Sequence, residues 1–179
     1  MTSTLNHRNT VSRGRVFDVV RDHITLQNGE HTTMEVIRHP GAAAIVAFPR
    51  PGRLLLVHQY RYPLDATIWE IPAGTLNRDE APLACARREL EEEGGLSGGT
   101  WHALGSITPV PGYSDERIHL FLATDLTTAR QRLDPDEILS VHTVAWDEAL
   151  GMIHTGRIQD AKTIAALYLA MNWMRENKV

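Results

Sequence analysis

This sequence of 179 residues lacks the features that mark membrane and secreted proteins. No apolar run approaches the roughly 18 residues that a membrane-spanning helix requires. The N-terminus, MTSTLNHRNTVSRGR, has no apolar core of the kind found in signal peptides, and we expect it to be a loose tail. The single cysteine, Cys85, cannot form an internal disulfide, which fits a reducing compartment. We therefore expect a cytoplasmic protein.

The sequence also lacks a concentration of positive charge and a histidine-rich metal motif. Lysine and arginine total 18 against 22 acidic residues, a net charge of −4 with no basic block. This balance argues against a nucleic-acid groove or an anionic membrane surface as the main partner. The nine histidines are scattered, with neither an HExxH motif nor a Cys/His pairing, so a zinc site is not expected.

What is present is the composition of an ordinary globular protein, with 42% apolar and 22% charged residues. The first half reads as strands, among them GAAAIVAF, RLLLVHQYR and TIWEIPAG, and Asn28-Gly29 is a typical hairpin turn. A helix is expected from about Pro82 to Gly94. Further strands and two closing helices follow, the last of them capped by Asp160. This order predicts an α+β fold with helices flanking a sheet.

The stretch RRELEEEGGL places four glutamates within five positions, just before two glycines that end the expected helix. Acids are unfavourable there, because the C-terminal end of a helix carries partial negative charge. Positions three and four apart share a helix face, so Glu89, Glu92 and Glu93 form one stripe while Glu91 falls nearly opposite. Either the stripe is an ordinary solvated charged face, or a cation such as Mg²⁺, which prefers oxygen ligands, converts the repulsion into coordination.

Residues 74–96, GTLNRDEAPLACARRELEEEGGL, resemble the Nudix box, Gly-x5-Glu-x7-Arg-Glu-(apolar)-x-Glu-Glu-x-Gly-(apolar). All of its fixed positions are filled, by Gly74, Glu80, Arg88, Glu89, Leu90, Glu92, Glu93, Gly95 and Leu96. The resemblance implies the Nudix fold, an α/β/α sandwich with a mixed sheet between helices and the box as a loop–helix–loop. It also implies Mg²⁺-dependent hydrolysis of a nucleoside diphosphate linked to another group.

The same resemblance assigns roles to individual residues of this chain. Glu89, Glu92 and Glu93 become the expected metal ligands, with Glu92 and Glu93 also catalytic. The main-chain carbonyl of Ala73 is expected to help them bind Mg²⁺, for which Mn²⁺ is an expected substitute. The remaining polar and glycine positions of the box are expected to support it rather than to touch substrate, and these are Gly74, Glu80, Arg88 and Gly95.

The flanking sequence is similar to the ADP-ribose pyrophosphatase branch of this family over nearly the whole chain. The similarity depends on VHQYRYP before the box, the WEIPAG strand leading into it, and PGYSDERIHLFLA after it. It implies that Arg61 binds phosphate or the terminal ribose and that Glu116 hydrogen-bonds ribose hydroxyls. Gly112, in the same PGYSDER stretch, is a further expected substrate contact, and Arg38 is expected to reach the nucleotide across a dimer interface.

The reaction implied for this branch is attack of water on the phosphate next to the adenosine of ADP-ribose, giving AMP and ribose 5-phosphate. The general base in the branch often comes from a mobile loop after the box. In this chain the loop LDPDEILS offers Asp134, Asp136 and Glu137. The strand that follows the loop favours Glu137, and a glutamate of the box is the alternative base.

Two other functions remain open from the sequence. A GDP-mannose or broader nucleoside-diphosphate-sugar pyrophosphatase would keep the chemistry and change the base or sugar. A non-catalytic Nudix module would sense ADP-ribose, although such modules commonly lose box carboxylates that are all present here. Because the N-terminal strands of this branch commonly exchange between subunits, we expect a homodimer. The expected domains are a flexible tail over 1–13, a dimerising strand region over 14–40 and a Nudix hydrolase domain over 41–179.

Overall fold

The structure of the protein, a computed structural model, describes residues 2–177 and divides into two compact units. The first unit runs to Gly41 and also includes Thr108–Arg117. The second comprises Ala42–Ile107 and the chain from Ile118 onward. A boundary after residue 40 is predicted from the sequence, but no sequence pattern assigns Thr108–Arg117 to the N-terminal strands.

Three antiparallel strands form the sheet of the first unit, in the order β1 (Thr4–Arg13), β2 (Asp18–Thr25) and β3 (His31–Arg38). The β2–β3 hairpin closes at the predicted Asn28-Gly29 turn. Gly29 has a φ of +87°, a left-handed conformation that glycine adopts at no steric cost. Asn28 Oδ1 accepts a hydrogen bond from the Glu30 N–H at 3.2 Å, which further stabilises the turn.

The strand β1 stands where a loose tail is expected over residues 1–13. Its ten residues are all exposed, and it pairs with β2 along its length. The Arg8 guanidinium also binds the Asp22 carboxylate of β2, with Nε–Oδ1 and Nη2–Oδ2 distances of 2.6 and 2.7 Å. The structure differs from the expectation because TLNHRNTVSR is polar and has no alternating apolar face, so the strand is stabilised by pairing rather than by burial.

The second unit contains two sheets and three α-helices among the described residues. Its elements in chain order are β4 (Ala42–Ala47), β5 (Arg53–Arg61), a 3-10 helix (Tyr62–Leu64), β6 (Ala66–Glu70), β7 (Ala73–Thr75), α1 (Pro82–Glu92), β8 (Leu96–Ile107), β9 (Ile118–Thr128), β10 (Leu139–Ala145), α2 (Trp146–His154) and α3 (Ala161–Asn177). One sheet has the order β7-β4-β9-β8, with β4 and β9 parallel, and the other has the order β10-β5-β6. No helix between residues 2 and 177 is both long and apolar enough to cross a membrane.

Strand β4 lies at the centre of the second unit, with both of its faces buried. Its alternate residues Ala43 and Ile45 pack in a cluster with Leu90 of α1. The intervening residues, such as Val46, pack in a second cluster with Leu167 of α3 and side chains of α2. Because successive side chains of a strand point to opposite faces, α1 lies on one side of the sheet and α3 on the other. The predicted α+β sandwich is confirmed.

The stretch TIWEIPAG forms two short strands where one is expected. Strand β6 ends at Glu70 and pairs with β5, whereas β7 begins at Ala73 and pairs with β4 of the other sheet. The change of sheet falls at Ile71-Pro72, where proline cannot donate to a ladder. The chain therefore passes from one sheet to the other immediately before the Nudix-like stretch.

Candidate active site

Helix α1 directs its glutamates to different environments. Pro82 occupies the first turn, and two glycines follow the helix, of which Gly95 has a φ of +61°. Glu89 and Glu93 point inward, with only 7% and 2% of their surface exposed. Glu92 lies at the edge of the same stripe, with 41% of its side chain exposed. The sequence alone gives the stripe, and the structure adds that most of it is buried.

Arg88 is the centre of the ion-pair network around α1. Its Nε and Nη2 donate to the two carboxylate oxygens of Glu80 at 2.9 and 3.0 Å, a bidentate pair that lowers the Glu80 pKa to about 2. Its Nη1 donates to Glu89 and, at 3.0 Å, to Glu92. Glu80 Oε2 also accepts the Asn77 N–H at 2.8 Å, so the loop before the helix is tied to the helix itself. Only the contact with Glu92 follows from helical spacing.

Glu93 has little to compensate its charge. Its Oε2 accepts the N–H of Ala73 at 3.0 Å, which brings the residue whose carbonyl is the predicted metal ligand beside this carboxylate. Burial raises the pKa of Glu93 to about 8, opposed by the Ala73 N–H and reinforced by the charges of Glu89 and Glu137. Burial likewise raises the pKa of Glu89 to about 7, opposed by Arg88. The two carboxylates therefore hold protons more tightly than exposed acids do.

Gly74 is required by the position of Glu89. A Cβ placed on Gly74 would lie 1.9 Å from the carboxylate carbon of Glu89 and 2.0 and 2.4 Å from its two oxygens. The same backbone segment lies against Cys85, whose thiol donates to the Gly74 carbonyl at 3.5 Å. Burial raises the Cys85 pKa to about 12, so the thiol stays neutral and packs as a small apolar group.

The oxygen donors of α1 fit a hard divalent cation. Between residues 2 and 177, no group of three or more His, Cys, Asp or Glu side chains converges as a metal site. The carboxylates of α1 are instead hydrogen-bonded, Glu89 and Glu92 to Arg88 and Glu93 to the Ala73 N–H. Burying two like charges at one helix end is unfavourable, and a cation with oxygen preference, such as Mg²⁺, reverses the sign of that interaction. The absence of a Cβ at Gly74 leaves the room that the carboxylate of Glu89 occupies.

The loop after β9 caps the C-terminus of α1 and carries the predicted general base. The N–H of Arg132 donates to the Glu92 carbonyl at 2.9 Å, and Gln131 Nε2 donates to the Glu93 carbonyl at 2.6 Å. These contacts satisfy carbonyls that a helix end leaves unpaired. Five residues beyond the cap, half-buried Glu137 accepts the Asp134 N–H at 2.9 Å, and its charge contributes to the raised pKa of Glu93. Sequence spacing gives no sign of this cap, because its partners are far apart in the chain.

Arg61, at the end of β5, is paired with a buried carboxylate. Its Nε and Nη2 donate to Glu70 Oε2 at 3.0 and 2.6 Å. Its charge opposes the rise in the pKa of Glu93, which places Arg61 within electrostatic range of that carboxylate. Gln59, on the same face of β5, is also buried, and its Oε1 has no hydrogen-bond partner within the described part of the chain. A buried acceptor of this kind fits a bound water or ligand group.

Three predicted substrate contacts, Arg38, Gly112 and Glu116, belong to the first unit. Arg38 Nη2 donates to Asp22 at 2.7 Å and Nη1 donates to Asp115 at 2.9 Å, so both ends of its guanidinium bind carboxylates. Hydrogen bonds from Arg8 and Arg38 lower the pKa of Asp22 to about 2. Gly112 is exposed, with open space where a Cβ would stand, and Glu116 is half-buried. Contact of these residues with substrate stays a prediction.

Comparison with known proteins identifies the family. Residues 38–167 match the model of the NUDIX domain, and the chain therefore belongs to the NUDIX-domain family, as its sequence resemblance predicts.

Two relatives and one solved structure are similar over most of the chain. The chain is 38% identical over 156 residues to an ADP-ribose pyrophosphatase of Bacillus subtilis (strain 168), covering 86% of this chain and 84% of that protein. It is 40% identical over 168 residues to a methanol dehydrogenase activator of Bacillus methanolicus, covering 92% and 91%. The crystal structure of an ADP compounds hydrolase matches with a TM-score of 0.86 and 21% identity, over 99% of this chain and 96% of that one, which supports the fold.

Replacement of Gly74 by alanine tests whether Glu89 is a metal ligand. The added Cβ must displace the Glu89 carboxylate, so we expect Gly74→Ala to weaken Mn²⁺ binding by about 10- to 100-fold, the range for groups that orient metal ligands. Isothermal titration calorimetry measures the affinity. Gly151→Ala, at a helical glycine with open space around it, is the matched control and should bind Mn²⁺ as the wild type does. Unchanged affinity in Gly74→Ala would exclude Glu89 as a ligand.

Proposed function

We propose that this protein is a divalent-cation-dependent hydrolase that cleaves the pyrophosphate of ADP-ribose into AMP and ribose 5-phosphate. The observation that carries the proposal is the buried pair Glu89 and Glu93 at the end of α1, with Arg61 in electrostatic range. The similarity to an ADP-ribose pyrophosphatase over most of both chains supports ADP-ribose as the substrate. The lone cysteine supports a cytoplasmic location.

The residues divide the work between holding metal and handling phosphate. Glu89, Glu92 and Glu93, with the Ala73 carbonyl, are the groups that would hold Mg²⁺ or Mn²⁺. When bound, such an ion neutralises phosphate charge and lowers the pKa of a bound water. Arg61 offers a guanidinium to a phosphate oxygen, since its pair with Glu70 uses only Nε and Nη2.

The proposed reaction breaks one phosphoanhydride bond. The oxygen of a water molecule attacks the phosphorus next to the adenosine, and the bridging oxygen leaves with ribose 5-phosphate. Glu137 accepts the proton of the attacking water, a role supported by its half-buried position near the α1 carboxylates. In the first unit, Arg38, Gly112 and Glu116 are the proposed contacts to the nucleotide and ribose.

The activity is tested by identifying products from ADP-ribose. With Mg²⁺ we expect equal amounts of AMP and ribose 5-phosphate, and with EDTA no turnover. Glu93→Gln should lower kcat at saturating Mg²⁺ by about 10²-fold or more, because a buried metal-binding charge is lost. Glu91→Gln is the matched control, since this glutamate lies on the outer side of the same helix and pairs with Arg132 at 2.9 Å; it should keep wild-type turnover.

Three results would redirect this assignment. Wild-type turnover in Glu93→Gln would show that the box residues are wrongly assigned. Faster cleavage of GDP-mannose or another nucleoside-diphosphate sugar in the same screen would change the substrate. Binding of ADP-ribose without cleavage would point to a sensor, a possibility given weight by the relative that is named for activating a dehydrogenase.

The general base is tested by Glu137→Gln. We expect kcat to fall by about 10²- to 10⁴-fold, the usual contribution of general-base catalysis, with little change in Mg²⁺ affinity. The fall should be largest near neutral pH and shrink as hydroxide becomes abundant, which a pH–rate profile measures. Asp134→Asn and Asp136→Asn are the matched comparisons on the same loop. A rate near that of the wild type for Glu137→Gln would move the base to one of these acids or to a box glutamate.

We also propose that the protein is a homodimer formed through the N-terminal strands. The support is an exposed strand β1 and the exposed apolar side chains Leu5 and Val11, at 48% and 55%. Sedimentation should give twice the chain mass of 20.0 kDa. Leu5→Asp combined with Val11→Asp should give the monomer, whereas Tyr168→Asp, at an exposed position of α3, should leave the mass unchanged. A monomeric wild type would overturn the proposal.

A further inference from the structure

Lys162, the second residue of helix α3, binds the same buried carboxylate as Arg61. Glu70 is 3% exposed, and its two oxygens are divided between two cations. Oε2 accepts from Arg61, and Oε1 accepts from Lys162 Nζ at 2.8 Å. Lys162 is itself largely buried, with 12% of its side chain exposed. The two cations reach Glu70 from elements that are distant in sequence.

The first turn of α3 fixes Lys162 in this position. Asp160 Oδ2 accepts from Lys162 Nζ at 3.0 Å and from the Thr163 N–H at 2.9 Å, so the N-cap of the helix also orients the lysine. Thr163 is fully buried, and its Oγ1 accepts the Ile71 N–H at 3.0 Å. The helix therefore holds both the side chain of Glu70 and the backbone of the next residue.

This division of Glu70 determines how Arg61 is held. One carboxylate oxygen binds the guanidinium on its Nε–Nη2 side. The other oxygen binds Lys162, so a rotation that gave both oxygens to Arg61 would break the contact with Lys162. Arg61, Glu70 and Lys162 together carry one net positive charge, which Asp160 balances through its ion pair with Lys162. Arg61 is thus oriented by one oxygen of Glu70, and the second oxygen does not bind it.

We propose that Lys162 is a positioning residue for substrate binding that acts through Glu70 on Arg61. The inference rests on the proposed function, in which Arg61 meets a phosphate of the nucleotide sugar. Without Lys162, Glu70 Oε1 is buried without a cation, and the carboxylate turns to form a two-oxygen pair with Arg61. The guanidinium then moves away from the phosphate and its charge is fully compensated.

The test combines a substrate-independent probe with a binding measurement. In Lys162→Met the Nε–Hε NMR resonance of Arg61, assigned by its loss in Arg61→Lys, should shift. The Kd for α,β-methylene ADP-ribose, which cannot be hydrolysed, should rise about tenfold, as expected when a charge-assisted hydrogen bond is lost. KM for ADP-ribose should rise in parallel while kcat stays within about twofold. Lys162→Arg, which keeps the charge, should restore both the resonance and the Kd.

A double-mutant cycle separates this role from general stabilisation. If Lys162 acts through Arg61, Lys162→Met should cost nothing further in Kd when Arg61 is already alanine. Arg175→Met, which removes a cation from the exposed end of the same helix, is the matched control and should change neither readout. Should Lys162→Met fail to fold, Lys162→Gln keeps a donor to Glu70 without the charge and should raise the Kd in the same direction.

The outcomes distinguish this proposal from the proposed function. An unshifted Arg61 resonance in Lys162→Met, or an equal loss of affinity with and without Arg61, would overturn the positioning role. A wild type that neither binds the analogue nor cleaves ADP-ribose would overturn the proposed function, while the resonance would still report whether Lys162 holds Arg61.

Discussion

The rest of the site in the second unit depends on the Arg88 guanidinium, whose positive charge offsets the negative charges of three glutamates. It binds Glu80 with two hydrogen bonds and contacts Glu89 and Glu92 through its remaining nitrogen. Without this cation the acids of α1 would repel one another at the negative end of the helix. Because Arg88 also binds Glu80 in the loop before α1, one side chain orders both that loop and the end of the helix.

Glu93 is not among the glutamates to which Arg88 donates hydrogen bonds. Its compensation comes from the Ala73 N–H and more distantly from Arg61, and burial still raises its pKa to about 8. Ala73 directly follows the sheet change at Pro72, and Arg61 binds Glu70, which precedes it. The segment that joins the two sheets therefore carries the Ala73 N–H at one end and, at the other, the Glu70 carboxylate that binds Arg61. Helix α3 binds the same segment at two points, Ile71 through Thr163 and Glu70 through Lys162.

Local pattern explains which features the sequence predicts. The stripe of Glu89, Glu92 and Glu93, the ends of α1 and the Asn28-Gly29 turn all follow from residues within one or two turns of each other. The pair of Glu70 and Lys162 spans 92 positions, and no periodicity links such residues. Strand β1 is not predicted for a related reason. Its pairing with β2 is stabilised by main-chain hydrogen bonds and by Arg8, and it has no apolar face that a sequence pattern could reveal.

The space at Gly74 belongs to a residue fifteen positions further along the chain. A Cβ at 74 and the carboxylate of Glu89 cannot occupy it together, so the two positions share one fixed volume. A shorter acid at 89 would release that volume, and a side chain at 74 would then fit without displacing a carboxylate. The glycine and the glutamate are therefore a single steric unit. The length of the side chain at 89 decides which residues fit at 74.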